Sequence, residues 1–340
     1  MKNKEFAAWL EQRKEPGYRL GQFKRAFFQD LVLDWDGLTT YPKALREAAA
    51  EEFTWDELKV TDERTDPSDG TYKVLFACSD GSAVEAVLMR HETGRNTVCV
   101  SSQVGCPMGC AFCATGKLGL KRNLTADEIV EQVLHMARIL KKDDAYVTNV
   151  VYMGMGEPFN NYDAVMESIR TLNDPDGFGL GARHMTVSTC GIVPGILKFA
   201  GESLQVNLAI SLHAPTDEMR DRIMPVNKAY PLDKLMYAVG EYAVKTNRKV
   251  LFEYLLLKGV NDSLDCAEGL ADLMEQNKRL YQVNLIKYHS TGGYQATEMD
   301  DRQEFMDLLK RRGIKVTFRV SFGEEIDAAC GQLAARNGRV

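Results

Sequence analysis

GCPMGCAFCATG (105–116) places Cys106, Cys110 and Cys113 in one short loop, spaced C-x3-C-x2-C. Three thiols this close read as a metal site, yet a closed thiolate site takes four ligands. Structural zinc sites repeat cysteine pairs and close with a fourth Cys or His. No second pair follows here: Cys99 lies upstream on a strand-like segment, and His135 falls inside a helical pattern. A [4Fe–4S] cluster held by three thiolates instead leaves one iron open to a small molecule. Both readings stand on the loop alone, and only the second uses the missing ligand.

Outward from the loop, the chain alternates. Strand-like segments at 97–101, 147–153, 184–189, 206–212, 249–256, 281–286 and 315–320 are separated by helical patterns near 125–141, 162–172, 194–200, 231–246, 264–276 and 300–312. Six strand–helix repeats and a last strand predict an α/β fold, a parallel sheet curled into a partial (β/α)6 barrel too short to close. Ligands of such folds gather where the strands end. The polar and glycine-rich clusters lie there: the cysteine loop, GMGEP (154–158), STCG (188–191), SLH (211–213), KYH (287–289) and SFGEEIDAACG (321–331). Upstream, three short amphipathic helices lie within residues 1 to about 70, a polar run at 61–71 reads as a linker, and a hairpin spans 72–89 about a turn at Asp80–Gly81.

Hydrophobic content of 45% and charged content of 26% are ordinary for a globular chain of 340 residues. No run approaches the ~18 apolar residues that span a bilayer, and the N-terminus has no secretory signal pattern. The expectation is a cytoplasmic protein with no membrane role. Eight cysteines are too few for a disulfide framework in a chain this long. The net charge of −6 does not advertise a nucleic-acid binder, although a local basic patch suffices to track phosphates.

C-x3-C-x2-C with Phe112 before the last cysteine resembles the radical S-adenosylmethionine (radical SAM) enzymes. There the amino and carboxylate groups of S-adenosylmethionine chelate the open iron, and one electron cleaves the sulfonium to methionine and a 5′-deoxyadenosyl radical. Read together, CVSSQVGC (99–106), CAFCATG (110–116), GMGEP (154–158), STCGIVPG (188–195), AISLHAP (209–215), GVND (259–262) and DAACGQL (327–333) resemble the RlmN/Cfr family of adenosine methyltransferases over almost the whole chain.

The resemblance implies the site. Cys106, Cys110 and Cys113 would hold the cluster, and Gly156, Glu157, Ser188, Ser211, Leu212 and His213 the cosubstrate. The family commonly has Asn-Pro after strand six; KYHST places His289 at that position. Cys330 would accept a methyl group from one S-adenosylmethionine, and a second would supply the radical that takes a hydrogen from it. Cys99 would resolve the resulting enzyme–RNA link by forming a disulfide with Cys330, and Glu85 would remove the proton from the ring carbon. Two S-adenosylmethionine molecules are implied per turnover, with an electron donor such as flavodoxin and a thiol reductant for the disulfide.

The implied substrate is an adenosine of 23S ribosomal RNA, with transfer RNA left open as a further substrate. Pro158 matches the branch acting on carbon 2, while segments 248–250 and 280–286 look closer to the carbon-8 branch; the balance is placed on carbon 2. The implied organisation is an RNA-binding helical piece (1–70), a hairpin and linker (71–91), a radical SAM core (92–325) and a C-terminal segment carrying Cys330 (326–340), working as a monomer. Candidate phosphate contacts are Lys117, Lys121, Arg122, Arg183, His184 and Lys287, with Arg19, Lys24 and Arg25 on the helical piece. The alternatives are carbon-8 methylation, a radical enzyme acting on a peptide or metabolite, and a non-catalytic iron–sulfur or zinc RNA-binding module. The last would have no use for Cys99 or Cys330.

Overall fold

The computed structural model of the chain describes residues 2–335; the remainder of the expected C-terminal segment, 336–340, lies outside them. Three helices open the chain: α1 (Lys2–Gln12), α2 (Tyr18–Lys24), which runs on into a π-helical turn (Arg25–Gln29), and α3 (Lys43–Glu52). They enclose an aromatic cluster in which Phe6 and Phe23 stand 4.5 Å apart and Trp35 and Trp55 4.9 Å apart. Each of those indoles donates to a backbone carbonyl, Trp35 to Phe53 and Trp55 to Val32, so both polar tips are satisfied. This cluster is continuous with the core beneath the main sheet.

Ten strands form that sheet, in the order β1-β2-β3-β4-β7-β8-β9-β10-β11-β12. Strands β1 (Lys59–Thr65), β2 (Tyr72–Ala77), β3 (Ala83–Arg90) and β4 (Asn96–Cys99) pair antiparallel. From β4 onward, β7 (Asn149–Tyr152), β8 (Met185–Thr189), β9 (Asn207–Ser211), β10 (Val250–Leu256), β11 (Tyr281–Lys287) and β12 (Lys315–Phe318) are parallel. Helices α4 (Ala126–Lys141), α5 (Tyr162–Asn173), α6 (Val193–Phe199), α8 (Leu232–Thr246), α9 (Leu264–Glu275) and α10 (Met299–Arg311) make the crossovers, as the strand–helix alternation requires. The start of α4 shows how locally this is set: Thr125 and Glu128 form a reciprocal capping box.

Three elements depart from the sequence reading. The polar run expected as a linker supplies β1, an exposed edge strand held by main-chain bonds to β2. A separate hairpin, β5 (Gln103–Cys106) with β6 (Gly119–Asn123), brackets the cysteine loop. A short helix, α7 (Asp217–Ile223), lies between β9 and α8.

The barrel stays open, with β1 and β12 at its edges. After β12 the chain crosses the gap. The Gly323 and Glu325 amides donate to Asp69 and Asp66 beside β1, Lys73 donates to the Asp327 carbonyl, and the Ala114 amide of the cysteine loop donates to the Gly331 carbonyl. Cys330 is thereby brought over the sheet.

Candidate active site

At the C-terminal ends of the parallel strands lies a cleft of about 870 Å³, partly open to solvent, and all three loop cysteines line it. The loop is shaped from within: the Cys113 amide donates to the Cys110 carbonyl at 3.1 Å, and the Ala111 amide to Ile223 at 3.0 Å. The chain enters it through Gly105 at φ +75°, where a Cβ would collide with the Gly119 carbonyl.

Burial pushes the Cys106 thiol up to about 12 and raises that of Cys110 as well, so ionised sulfurs here need positive charge directly against them. Among the described residues no group of three His, Cys, Asp or Glu side chains closes up tightly enough to hold a single metal ion. Three thiols sharing one wall of a roomy cleft suit a cluster, in which each sulfur takes its own iron. They lack the four converging ligands of a closed zinc site.

Opposite the loop stand the ends of β7, β8 and β9. Gly156 has φ +104°, and a Cβ there would lie 2.6 Å from the Gln103 side chain. Only glycine lets that turn face the cleft. Glu157 is buried; it accepts the amides of Cys190 at 2.8 Å and Phe159 at 3.0 Å, while burial raises its pKa against those bonds. Ser188 and Ser211 meet hydroxyl to hydroxyl at 3.4 Å. His213, at φ +58°, accepts the Leu255 amide on Nδ1 at 2.9 Å, which leaves the proton on Nε2. Burial lowers its pKa to about 3, so the ring is a neutral donor at the cleft wall.

Arg220 of α7 underlies these turns. Its fully buried guanidinium donates to the Cys190 carbonyl (2.6 Å), the Leu212 carbonyl (3.1 Å) and Asn227 (2.9 Å), tying the ends of β8 and β9 together. Asn261, within GVND, donates to the carbonyls of His213 and Leu255, both at 2.7 Å.

A second pocket adjoins the cleft, and Cys99 and Cys330 both line it. Cys330 lines the cleft as well. One sulfur thus faces the three-thiol site on one side and a second free thiol on the other.

Comparison with known proteins agrees with this geometry. The model of the Radical SAM superfamily matches residues 100–269. A probable dual-specificity RNA methyltransferase RlmN from Geobacillus kaustophilus (strain HTA426) is 47% identical over 332 residues, covering 98% of this chain and 90% of that protein. Its counterpart from Staphylococcus saprophyticus is 45% identical over 338 residues, covering 99% and 92%. The crystal structure of a radical SAM methyltransferase from Sphaerobacter thermophilus superposes with a TM-score of 0.95 at 43% identity, covering 99% of this chain and 98% of that one.

The chain belongs to the RlmN family of radical SAM methyltransferases. Membership implies a [4Fe–4S] cluster and S-adenosylmethionine, and the partial α/β barrel is the fold expected of it. No helix among the described residues is long and apolar enough to cross a membrane.

Three of the residues that the resemblance implied do not line the cleft. Leu212 is fully buried and its side chain does not line the cleft. His289 bonds Ser321 through Nε2 at 2.9 Å and lines the thiol pocket rather than the cleft. Glu85 is buried under the C-terminal segment and lines neither cavity.

The basic candidates are largely committed. Arg122 pairs with Asp80 and Glu128, Lys287 with Glu324 and Lys24 with Asp174, while Lys117 donates to the Thr291 carbonyl and Arg19 to that of Thr40. Arg183 and His184 precede β8, which puts them at the opposite end of the barrel from the site. Lys121 and Arg25 are exposed.

Two charged cleft residues were not anticipated, Glu253 and Arg319. Glu253 carried a readable signal, since a carboxylate inside the apolar run of a central parallel strand must find a polar interior.

Proposed function

We propose that this chain methylates carbon 2 of an adenosine in large-subunit ribosomal RNA and in transfer RNA, using two molecules of S-adenosylmethionine per turnover. The observation that carries this reading is the position of Cys330, shared between the three-thiol cleft and the pocket of Cys99. Carbon 2 of adenine has no lone pair with which to attack a sulfonium, so the methyl group must be carried to it by the protein.

The Cys330 sulfur takes the methyl group of the first S-adenosylmethionine, and S-adenosylhomocysteine leaves. Cys106, Cys110 and Cys113 would hold the [4Fe–4S] cluster, which would supply the electron that cleaves the second molecule to methionine and a 5′-deoxyadenosyl radical and would take back the one electron that the RNA adduct must lose. The methyl group on Cys330 loses a hydrogen atom to that radical, and its carbon bonds to carbon 2. Glu85 accepts the ring proton once residues 333–335 have lifted from its carboxylate. The deprotonated Cys99 sulfur then attacks that of Cys330: the S–S bond forms, the S–CH2 bond breaks, and the departing carbon takes a proton to complete the methyl group. A thiol reductant restores both cysteines. Gly156, Glu157, Ser188, Ser211, the Leu212 backbone and His213 orient the cosubstrate; His289 acts from the thiol pocket.

The RlmN name of the relatives supports carbon 2 over carbon 8. In this reading the protein works as a monomer in the cytoplasm with a flavodoxin-type electron donor. Residues 1–70 grip the RNA, 71–91 join them to the core of 92–325, and 326–340 carry Cys330. The test is to digest RNA treated with the reconstituted enzyme and compare its nucleosides with 2-methyladenosine and 8-methyladenosine. The 2-methyl nucleoside is expected; the 8-methyl product alone, or neither, overturns the proposal.

A further inference from the structure

Arg319 follows β12 and is fixed by its amide, which donates to the Leu285 carbonyl at 2.8 Å. Its side chain lines both the three-thiol cleft and the pocket of Cys99 and Cys330. A partly buried guanidinium carries five donors and needs acceptors. Here the hydrogen bond it makes is Nη1 to the Met153 sulfur at 3.5 Å, a weak acceptor, and it forms no salt bridge among the described residues. The cleft carboxylate of Glu253 accepts from Asn284 at 2.9 Å; its charge, like the sulfurs of Cys330 and Cys99, is felt by Arg319 without a hydrogen bond or salt bridge between them. The cation is held in place with its donors largely uncommitted.

The surroundings say what it faces. Val87, Met89, Met153, Ile286 and Phe322 give the thiol pocket apolar walls, and Arg319 is the one permanent cation among its described lining residues. Apolar walls with one donor-rich, charged group suit a flat heteroaromatic ring whose faces are apolar and whose edge carries lone pairs. Adenine around carbon 2 is such an edge: N1 and N3 flank the carbon, and both only accept. A donor with no acceptor capacity matches it, and a hydrogen bond from a cation draws electron density from the carbon between those nitrogens.

We infer that Arg319 recognises the target base, donating to the ring nitrogen beside the methylated carbon, in the pocket where Cys99 and Cys330 meet. The inference rests on the proposed RNA methylation and assigns its base-reading residue.

The test measures equilibrium affinity of the reconstituted enzyme for a ribosomal RNA fragment carrying adenosine, 1-deazaadenosine or 3-deazaadenosine at the methylated position. Hydrogen bonds to charged groups imply that the wild type binds one deaza RNA about tenfold to a hundredfold more weakly than the adenosine RNA. In Arg319→Met that ratio should fall to about one, with Arg319→Lys between, because the acceptor no longer has its donor. The ratio is taken within each protein, so partial loss of folded protein does not change it. A deaza penalty that persists in Arg319→Met, or a wild type that distinguishes neither analogue, overturns the inference. A wild type that binds but does not methylate the adenosine RNA overturns the proposed function itself, and this inference with it.

Discussion

The Glu85 carboxylate accepts the backbone amide of Ala334 at 2.8 Å, with that of Ala335 at 3.0 Å and the Lys73 ammonium at 3.4 Å. The group proposed to take the ring proton is thus the clasp that holds the segment bearing Cys330. Docked, the segment shields Glu85 from both cavities; lifted, it exposes a carboxylate on β3, beside the strand that carries Cys99.

Glu85→Gln separates the two roles, because an amide oxygen still accepts from the tail but cannot act as a base. Methylation should fall at least about a hundredfold. Hydrogen exchange at residues 328–335 should stay close to that of the wild type. Full methylation by Glu85→Gln would leave Glu85 a clasp and nothing more.

Much of this site could be read along the chain because parallel strands announce themselves. Their apolar runs at β7 to β12 recur between amphipathic helices, and a turn after such a strand has to sit at the ligand-binding rim. What could not be read was decided by partners distant in sequence. The exposed β1 has no apolar face, and only its main-chain pairing with β2 makes it a strand. Arg122, exposed by its spelling, is captured by Asp80 and Glu128. Arg220 sits in a charged stretch, DEMRDR, that resembles a solvated helix face, yet it is fully buried beneath the two turns that follow β8 and β9, whose carbonyls it binds.

That arginine yields the second prediction. Arg220→Met would leave the buried carbonyls of Cys190 and Leu212 without their donor. A loss of about 3 kcal/mol in urea unfolding is expected. Affinity for S-adenosylmethionine, measured by calorimetry, should weaken with it, because the turns at Ser211 and His213 lose their brace. An unfolding midpoint equal to that of the wild type would remove Arg220 from this role.

The third concerns acid. Burial depresses His213 to about 3, so the folded state holds it neutral while the unfolded chain protonates it near its ordinary 6.5. Its stabilising contribution is complete above pH 6.5 and is lost progressively as pH falls toward 3. Between pH 6.5 and 5.5 the loss is about 1 kcal/mol. His213→Gln should lack that component, so its unfolding free energy should fall less steeply than that of the wild type over this interval. Equal slopes would count against the assignment.

The loop thiols give the fourth. Replacing any one of Cys106, Cys110 or Cys113 with Ala should abolish the brown absorbance of the reconstituted cluster, together with all RNA methylation. A four-iron cluster of wild-type iron and sulfide content in any single variant would show that the three are not its protein ligands.

The central claim, that Cys330 carries the methyl group and Cys99 releases it, is tested most directly by Cys99→Ala. The reconstituted variant is incubated with S-adenosylmethionine, a reductant and the RNA fragment, and the products are resolved by denaturing gel and mass spectrometry. A protein–RNA adduct joined through one carbon at Cys330 should accumulate, with no free methylated RNA, while Cys330→Ala forms neither. Free 2-methyladenosine RNA at the wild-type rate from Cys99→Ala, without an adduct, would contradict the account.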